Sequence, residues 1–354
     1  MTILFDSPAF DGHEAIHVFN DEASGLKAII AIHSTARGPS AGGCRMWPYV
    51  SSEAALLDAL RLSRAMSYKN AIADLELGGG KSVIIGDSRT QKTPALFEAL
   101  GDAIEQLGGR YWAAEDVGVS PADLAHAHTR THYVAGLEGR GAASGDPSPV
   151  TAEGVFRGIV LCVRRAMNRD LKGVTVAIQG LGHVGSSLAE KLAAAGAKLV
   201  VTDVNEALAD RVAARTGART VAPGAIFDTD AEVFAPCALG SVLTTDTLAR
   251  LRCRVIAGGA NNQFGSVEAG QAIYEKGLIY APDYVINGGG IISVAGEIRA
   301  LDRGEDFDPA WVEAKLARLM ITLEEVLQRS LDERRPTHEI ANEVAKARIV
   351  AARG

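Results

Sequence analysis

Between Val174 and Asp203 the chain reads as strand, glycine-rich turn, helix, second strand and acid, an order that few folds accommodate. Val174–Ile178 is apolar and β-branched, and it runs through Gln179 into Gly180-Leu181-Gly182-His183-Val184-Gly185. A helix over Ser187–Ala195 follows, and the strand Lys198–Thr202 ends at Asp203. That acid stands 23 residues beyond Gly180, close to the ~20-residue offset at which a carboxylate reaches a ribose in a βαβ dinucleotide site. The glycines suit such a site individually. Gly180 makes the tight turn, Gly182 admits a pyrophosphate, and Gly185 lets the helix lie on the strand. The helix start offers free N–H groups and a positive dipole end to phosphate. A glycine-rich turn without ligand is the plainer alternative, but it requires neither the flanking elements nor the acid. Asp203 would accept hydrogen bonds from ribose hydroxyls and repel a 2′-phosphate, so NAD is expected rather than NADP.

The same texture extends outward. From Thr151 onward, helical stretches alternate with the short apolar runs Val174–Ile178, Lys198–Thr202, Val233–Ala235, Arg254–Ala257 and Val285–Ile286. Alternation of this kind predicts a parallel, doubly wound α/β sheet. Upstream, Leu26–His33 reads as a strand, Ser52 as the cap of a helix reaching about Tyr68, and Ser82–Ile85 as another strand. A helix over Pro94–Leu107 and a strand from Tyr111 to the acids Glu115 and Asp116 follow. Gly136–Pro149, rich in glycine with Pro147 and Pro149, reads as a hinge. Asp308-Pro309 starts a helix and another begins after Thr337. For 354 residues, at ~100–200 per domain, the expectation is two α/β domains with a cleft between them. One spans 1–148 plus about 330–354, the terminal helices packing back on it, and the dinucleotide-binding one spans 149–329.

Composition removes whole classes. Lys+Arg 36 against Asp+Glu 43 gives a net charge of −7 with no basic block, which argues against nucleic acid as a partner. At 47% hydrophobic and 22% charged residues the chain can bury a core. Cys44, Cys162, Cys237 and Cys253 show no CxxC spacing and are too sparse for a disulfide framework. Reduced thiols in a cytoplasmic protein are expected. Met1–Asp6 has no basic leader, and no stretch nears the ~18 apolar residues of a membrane span.

The first half carries the chemistry. Gly42-Gly43, Gly78-Gly79-Gly80, Gly258-Gly259 and Gly288-Gly289-Gly290 follow or end apolar runs. They mark either backbone held close to a ligand or tight turns. Lys81 directly follows three glycines and Lys69 lies 12 residues before it, on opposite sides of what reads as a loop, so both could face one cleft. Two neighbouring ammonium groups disfavour each other's charge and burial adds to this, so one could become a neutral base while the other holds a carboxylate. Asp116 could relay a proton. Taken alone, two lysines beside glycines are more often solvated charges. A phosphate loop is excluded because the GxxxxGK[ST] spacing is missing. His126, His128 and His132 have no carboxylate or cysteine beside them at ligand spacing, so no metal is expected.

Gly38-Pro39-Ser40-Ala41-Gly42-Gly43-Cys44-Arg45-Met46-Trp47, Tyr68-Lys69-Asn70, Gly78-Gly79-Gly80-Lys81 and Ala114-Glu115-Asp116-Val117-Gly118 together resemble the Glu/Leu/Phe/Val amino acid dehydrogenases. The leucine and phenylalanine branch is the most similar. Pro149-Val150-Thr151-Ala152, the Gly180–Gly185 loop and Asn287-Gly288-Gly289-Gly290 extend the resemblance over nearly the whole chain. It implies reversible oxidative deamination of an L-amino acid to a 2-oxo acid and ammonia, with NAD taking the hydride. By position, it makes Lys69 the ligand of the substrate carboxylate and Lys81 the general base that activates water. Asp116 would transfer protons, and Gly42 and Gly43 would let the carboxylate lie against backbone. Thr151 and Asn261 or Asn262 would orient the nicotinamide amide, and Asn287 would reach the substrate. The first domain would bind substrate and assemble a homo-oligomer.

The resemblance also places Ala41, Ala114, Ile291 and Val294 around the substrate side chain. All are apolar, which disfavours a charged side chain such as glutamate. Ala41 leaves room for a ring, whereas Ile291 and Val294 suit a branched aliphatic chain. Leucine and other branched-chain substrates therefore rank just above phenylalanine, with tryptophan behind. A hydroxy-acid dehydrogenase would instead show a histidine base with an arginine clamp, and a silent NAD-binding regulator would have lost a proton-transfer residue. Neither pattern is present.

Overall fold

The computed structural model describes residues 4–139 and 141–353, so the opening Met1–Ile3, read above for a leader, lie outside the described residues. The chain forms two compact units. One takes in the residues up to Asp146, Ile291–Glu313 and the stretch from Ala345; the other takes in Pro147–Gly290 and Ala314–Val344.

The first unit contains β1 (Ala15–Asp21), β2 (Leu26–Ser34), β3 (Ser40–Trp47), α1 (Ser52–Ile72), β4 (Gly78–Ile85), α2 (Pro94–Glu105), β5 (Tyr111–Glu115) and α3 (Pro121–His128). Its mixed sheet runs β1-β2-β4-β3-β5, with β3 parallel to both β4 and β5. Period-two alternation sorts the strand residues onto two faces. Ile30, Ile32, Cys44, Met46, Ile84 and Tyr111 join Leu96, Phe97, Leu100, Ile104 and Leu124 of α2 and α3 in one core. Ile29, Ala31 and Val83 face Ala55 and Ala59 of α1 on the other side. Each fully buried Ile or Leu contributes about 1.5–3 kcal/mol.

Two expectations shift here. The cap of α1 is Ser51, whose Oγ accepts from the Ala54 N–H, so the neighbouring Ser52 is already helical. The glycines Gly42-Gly43 and Gly78-Gly79-Gly80 lie inside strands β3 and β4, where the sequence suggested a loop or turn. The reason is crowding. A Cβ on Gly79 would stand 2.0 Å from the Ser67 nitrogen of α1, and one on Gly42 would stand 1.9 Å from the Gly80 carbonyl oxygen.

α1 is also fastened to β2. His33 is buried, its Nδ1 lies 2.7 Å from Ser67 Oγ, and its ring packs edge-on against His13 at 4.8 Å. Burial, then the His13 charge, lowers the His33 pKa from 6.5 to about 4. The unfolded chain takes up this proton near 6.5 and the folded chain only near 4. Stability is therefore full above the first value and falls as pH drops between the two. At one pKa unit per ~1.4 kcal/mol, the loss by pH ~4.5 is expected to be roughly 2–3 kcal/mol. Urea midpoints between pH 7 and 4.5 should fall for the wild type and fall distinctly less for His33→Gln; parallel curves would contradict this.

The second unit carries α4 (Ser148–Met167), β6 (Thr175–Gln179), α5 (His183–Ala194), β7 (Lys198–Thr202), α6 (Glu206–Thr216) and β8 (Arg219–Thr220). It continues with β9 (Val233–Pro236), α7 (Thr245–Arg250), β10 (Val255–Ile256), α8 (Ala269–Glu275), β11 (Ile279–Tyr280) and α9 (Asp283–Ile286). All strands are parallel, in the order β11-β10-β9-β6-β7-β8. This is the doubly wound arrangement the alternation predicts, with its direction of winding reversing between β6 and β9. Val285–Ile286, expected as a strand, closes the short helix α9 after Pro282, and the last strand is Ile279–Tyr280 instead. α5 begins at His183, a turn earlier than the sequence suggested.

α10 (Gly289–Arg303), α11 (Pro309–Glu333) and α12 (Thr337–Ala351) complete the chain. Asp308 Oδ1 caps α11 by accepting from Ala310 and Trp311 N–H groups at 2.9 and 3.2 Å. Among the described residues, no helix is long and apolar enough to cross a membrane.

Candidate active site

Strand pairing in the first unit gathers the sequence candidates onto one face. Gly43 opposes Ala114, and Ala41 lies two residues before Gly43, so all three share a side of the sheet. Pairing of Ala41 with Gly79 and of Cys44 with Ser82 places Lys81 beside Gly43 on that side. Asp116 follows β5 directly. The Lys81 ammonium donates to Asp116 Oδ2. A Cβ on Gly43 would stand 3.2 Å from Lys81 Nζ and 2.7 Å from Asp116 Cβ, so this glycine leaves the pair its space. Ala41, Ala114, Ile291 and Val294 are buried in the same unit, the last two one turn apart on α10.

Electrostatics follow from burial. Lys81 is 5% exposed. Burial lowers its pKa, and the opposing pull of Asp116 does not restore it. Burial alone would raise Asp116, but Lys81 and then Arg45 bring it below the ordinary carboxylate range. The site therefore combines a firmly ionised carboxylate with an amine that gives up its proton more readily than an exposed lysine.

Arg45 is the residue that sequence reading left without a role. Its Nε donates to Asp116 Oδ2 and its Nη1 to Asp58 Oδ2, both at 3.1 Å, and Tyr49 OH donates to Asp58 Oδ2 at 2.7 Å. The signal was available. Arg45 follows Gly43 by two positions and so projects to the same face. Lys69 lies in the last turn of α1, two residues past Ser67, whose nitrogen abuts Gly79. Asn70 Nδ2 ties this turn to the Gly78 carbonyl. His132, weighed above for metal, packs edge-on against Trp112 at 5.6 Å.

In the second unit the Gly180–Gly185 loop bridges β6 and α5. Gly180 has φ +92°, and its N–H donates to the Thr202 carbonyl at 2.8 Å. A Cβ on Gly185 would stand 2.0 Å from the Gly180 oxygen, so helix and strand approach as the spacing requires. Gly182 differs: it caps α5, and a Cβ there would meet nothing within 4 Å. Open space thus lies before the first turn of α5, whose N–H groups and positive dipole end make a setting suited to an anion. Asp203 Oδ2 accepts from Leu181 N–H at 2.7 Å and Oδ1 from Asn205 N–H at 2.8 Å. Each oxygen keeps a lone pair for a hydroxyl donor.

The remaining candidates form a second group in this unit. Asn287 Nδ2 donates to Asn261 Oδ1 at 2.7 Å, while Asn287 Oδ1 is buried without a hydrogen-bond partner. Asn262 takes the left-handed conformation at φ 51° beside Asn261, and its side chain is exposed. Thr151 Oγ1 donates to the Pro147 carbonyl at 3.0 Å and would lie 2.8 Å from a Cβ on Gly290. A dinucleotide fits these residues: a cradle at Gly182, an acid at the next strand end, and a buried amide oxygen in want of a donor.

Comparison with known proteins agrees over most of the chain. Residues 13–133 match the family described as Glu/Leu/Phe/Val dehydrogenase, dimerisation domain. Residues 148–212 and 201–354 match Glutamate/Leucine/Phenylalanine/Valine dehydrogenase. A leucine dehydrogenase of Thermoactinomyces intermedius is 50% identical over 301 residues, covering 85% of this chain and 82% of its own. A phenylalanine dehydrogenase of Bacillus thermotolerans is 42% identical over 345 residues, covering 96% and 89%. The crystal structure of an L-tryptophan dehydrogenase from Nostoc punctiforme superimposes with a TM-score of 0.86 at 37% identity, covering 96% of this chain and 97% of that one. With its strand-borne lysine–aspartate pair, its doubly wound glycine loop and matches spanning both units, the chain belongs to the Glu/Leu/Phe/Val family of amino acid dehydrogenases.

Proposed function

We propose that the protein catalyses reversible, NAD-dependent oxidative deamination of a hydrophobic L-amino acid, leucine and its branched-chain relatives first, to the 2-oxo acid and ammonia. The observation that carries this reading is the pairing of buried Lys81 with half-buried Asp116 on the same face as Ala41 and Ala114. When bound, NAD accepts the hydride from the substrate Cα. Lys69 holds the substrate carboxylate with Gly42 and Gly43. Lys81, neutral, takes a proton from water as its oxygen adds to the iminium carbon, giving a carbinolamine. Asp116 moves protons to and from the nitrogen until ammonia departs and the ketone remains. Ile291, Val294, Ala41 and Ala114 surround a side chain without offering it a charge, so a carboxylate there would lose its hydration unrepaid.

The Gly180–Gly185 loop and Asp203 hold the dinucleotide, the acid favouring NAD by repelling a 2′-phosphate. Thr151, Asn261, Asn262 and Asn287 orient the amide end, the unpartnered Asn287 Oδ1 being a fitting acceptor. The first unit is the substrate and assembly unit of a homo-oligomer, in keeping with the dimerisation-domain match. Four free cysteines suit a reducing cytoplasm. A phenylalanine or tryptophan substrate is the second reading, favoured by the small side chain of Ala41.

One assay decides. Purified protein with NAD or NADP and a panel of L-amino acids is followed through NADH absorbance and released ammonia. The expected result is stoichiometric NADH and ammonia, fastest with leucine, at least about tenfold better with NAD, and no rate with 2-hydroxy acids. No reduction with any amino acid would sink the proposal; a higher kcat/KM for phenylalanine or tryptophan would select the second reading.

A further inference from the structure

Glu297 has no place in the chemistry above, yet it is the most completely enclosed carboxylate described here, at 0% exposure in the middle of α10. Its Oε1 accepts from the N–H groups of Gly136 and Leu137 at 2.9 and 3.0 Å. Its Oε2 accepts from the Ser144 N–H at 3.0 Å and from Ser144 Oγ at 2.6 Å. Four donors on one buried carboxylate form a strong, directional set of bonds, and all lie in the segment expected above to be a hinge. Gly136, Gly139, Gly141 and Gly145 all have positive φ, from +68° to +149°. Glu297 holds Gly136 and Leu137 at one end and Ser144 at the other, and the Phe307 N–H donates to the Gly141 carbonyl at 2.9 Å.

The two ends of this clamp are informative. On one side, the Ala113 N–H donates to the Tyr133 carbonyl at 3.0 Å and the Ala135 N–H to the Ala113 carbonyl at 2.8 Å, so Gly136 directly follows a stretch paired alongside β5, the strand that carries Ala114 and leads to Asp116. On the other, Glu297 stands one turn beyond Val294 on the same side of α10, and Val294 stands one turn beyond Ile291. We infer that Glu297 is a specificity-positioning residue: it sets the separation between the β5 edge and α10, and with it the width of the space offered to the substrate side chain. This rests on the pocket assignment proposed above. Where one methylene is worth only about 10–200-fold in discrimination, a small change in this spacing is enough to re-rank substrates.

The test is a kcat/KM comparison of leucine, valine and phenylalanine in the wild type, Glu297→Gln and Ser144→Ala, with NADH binding followed by fluorescence as the control for an intact fold. Glutamine turns an NH2 towards either the Gly136/Leu137 or the Ser144 donors and so releases one side of the clamp. Expected for Glu297→Gln is a rise of roughly tenfold or more in KM for leucine with kcat within about threefold. The leucine-to-phenylalanine ratio of kcat/KM should shift by at least about fivefold, with NADH affinity unchanged. Ser144→Ala, which removes one of four donors, should move the ratio in the same direction by about twofold. Equal loss on all substrates, or an unchanged ratio in Ser144→Ala when Glu297→Gln does not fold, overturns the inference. A wild type inactive on every amino acid would instead overturn the functional reading itself.

Discussion

Replacement of Lys81 by alanine is expected to lower kcat for amino acid oxidation by about 10²- to 10⁴-fold, the usual contribution of a positioned general base. The fold should survive, because the Asp116 carboxylate left behind still accepts from Arg45 Nε at 3.1 Å and is not stranded without a cation. NADH affinity should be unchanged, since the dinucleotide loop lies in the other unit. The pH profile gives a second, independent reading. A base works only when neutral, and burial lowers Lys81 from its ordinary value of 10.5. Wild-type kcat should therefore rise with pH and level off below the range of an exposed lysine. In Lys81→Ala that rise should vanish along with the rate. Lys81→Arg should be no better, because a guanidinium keeps its proton throughout. An alanine variant within about threefold of wild type would remove Lys81 from the chemistry.

How much of this was legible in the residues differs between the two halves. The stretch from Val174 to Asp203 could be read because its signals are local: period, turn and acid lie within one βαβ unit, and no boundary moved by more than one residue except the helix start, from Ser187 to His183. The glycines of the first half misled because their cause is not local. Gly42, Gly79 and Gly80 are small to admit the Gly80 carbonyl, the Ser67 backbone and the Tyr111 ring, none of which adjoins them in sequence. A strand that is glycine-rich for packing reasons looks like a loop when read alone. Val285–Ile286 failed for a related reason: two apolar β-branched residues suit a buried helical turn as well as a strand. Glu297 was out of reach because its partners in the Gly136–Ser144 segment lie 153–161 residues away; for Arg45 the strand alternation gave the face, but not its partner Asp116, 71 residues on.

That packing cause makes Gly43→Ala the sharper probe of the site. Gly43 sits in extended strand between β4 and β5, so alanine costs it nothing in backbone conformation. The cost is spatial. The new methyl would stand 2.6 Å from the Glu115 carbonyl oxygen and 2.7 Å from Asp116 Cβ, so the end of β5 must retreat. Overpacking of this kind destabilises by about 1–3 kcal/mol, which urea denaturation would register. Catalysis should suffer more, because the retreat carries Asp116 away from Lys81, and a displacement of ~1 Å can cost about 10²-fold. The expected result is a folded enzyme with kcat reduced by about two orders of magnitude and normal NADH affinity. Gly182→Ala supplies the opposite pattern. Its methyl meets no protein atom within 4 Å, so stability should hold to within about 0.5 kcal/mol. Only a pyrophosphate lying before α5 would collide with it, raising the KM for NAD by roughly tenfold or more. Should Gly43→Ala keep full kcat, the room beside Lys81 Nζ has no catalytic meaning; should Gly182→Ala bind NAD normally, the open space at the helix start holds something other than phosphate.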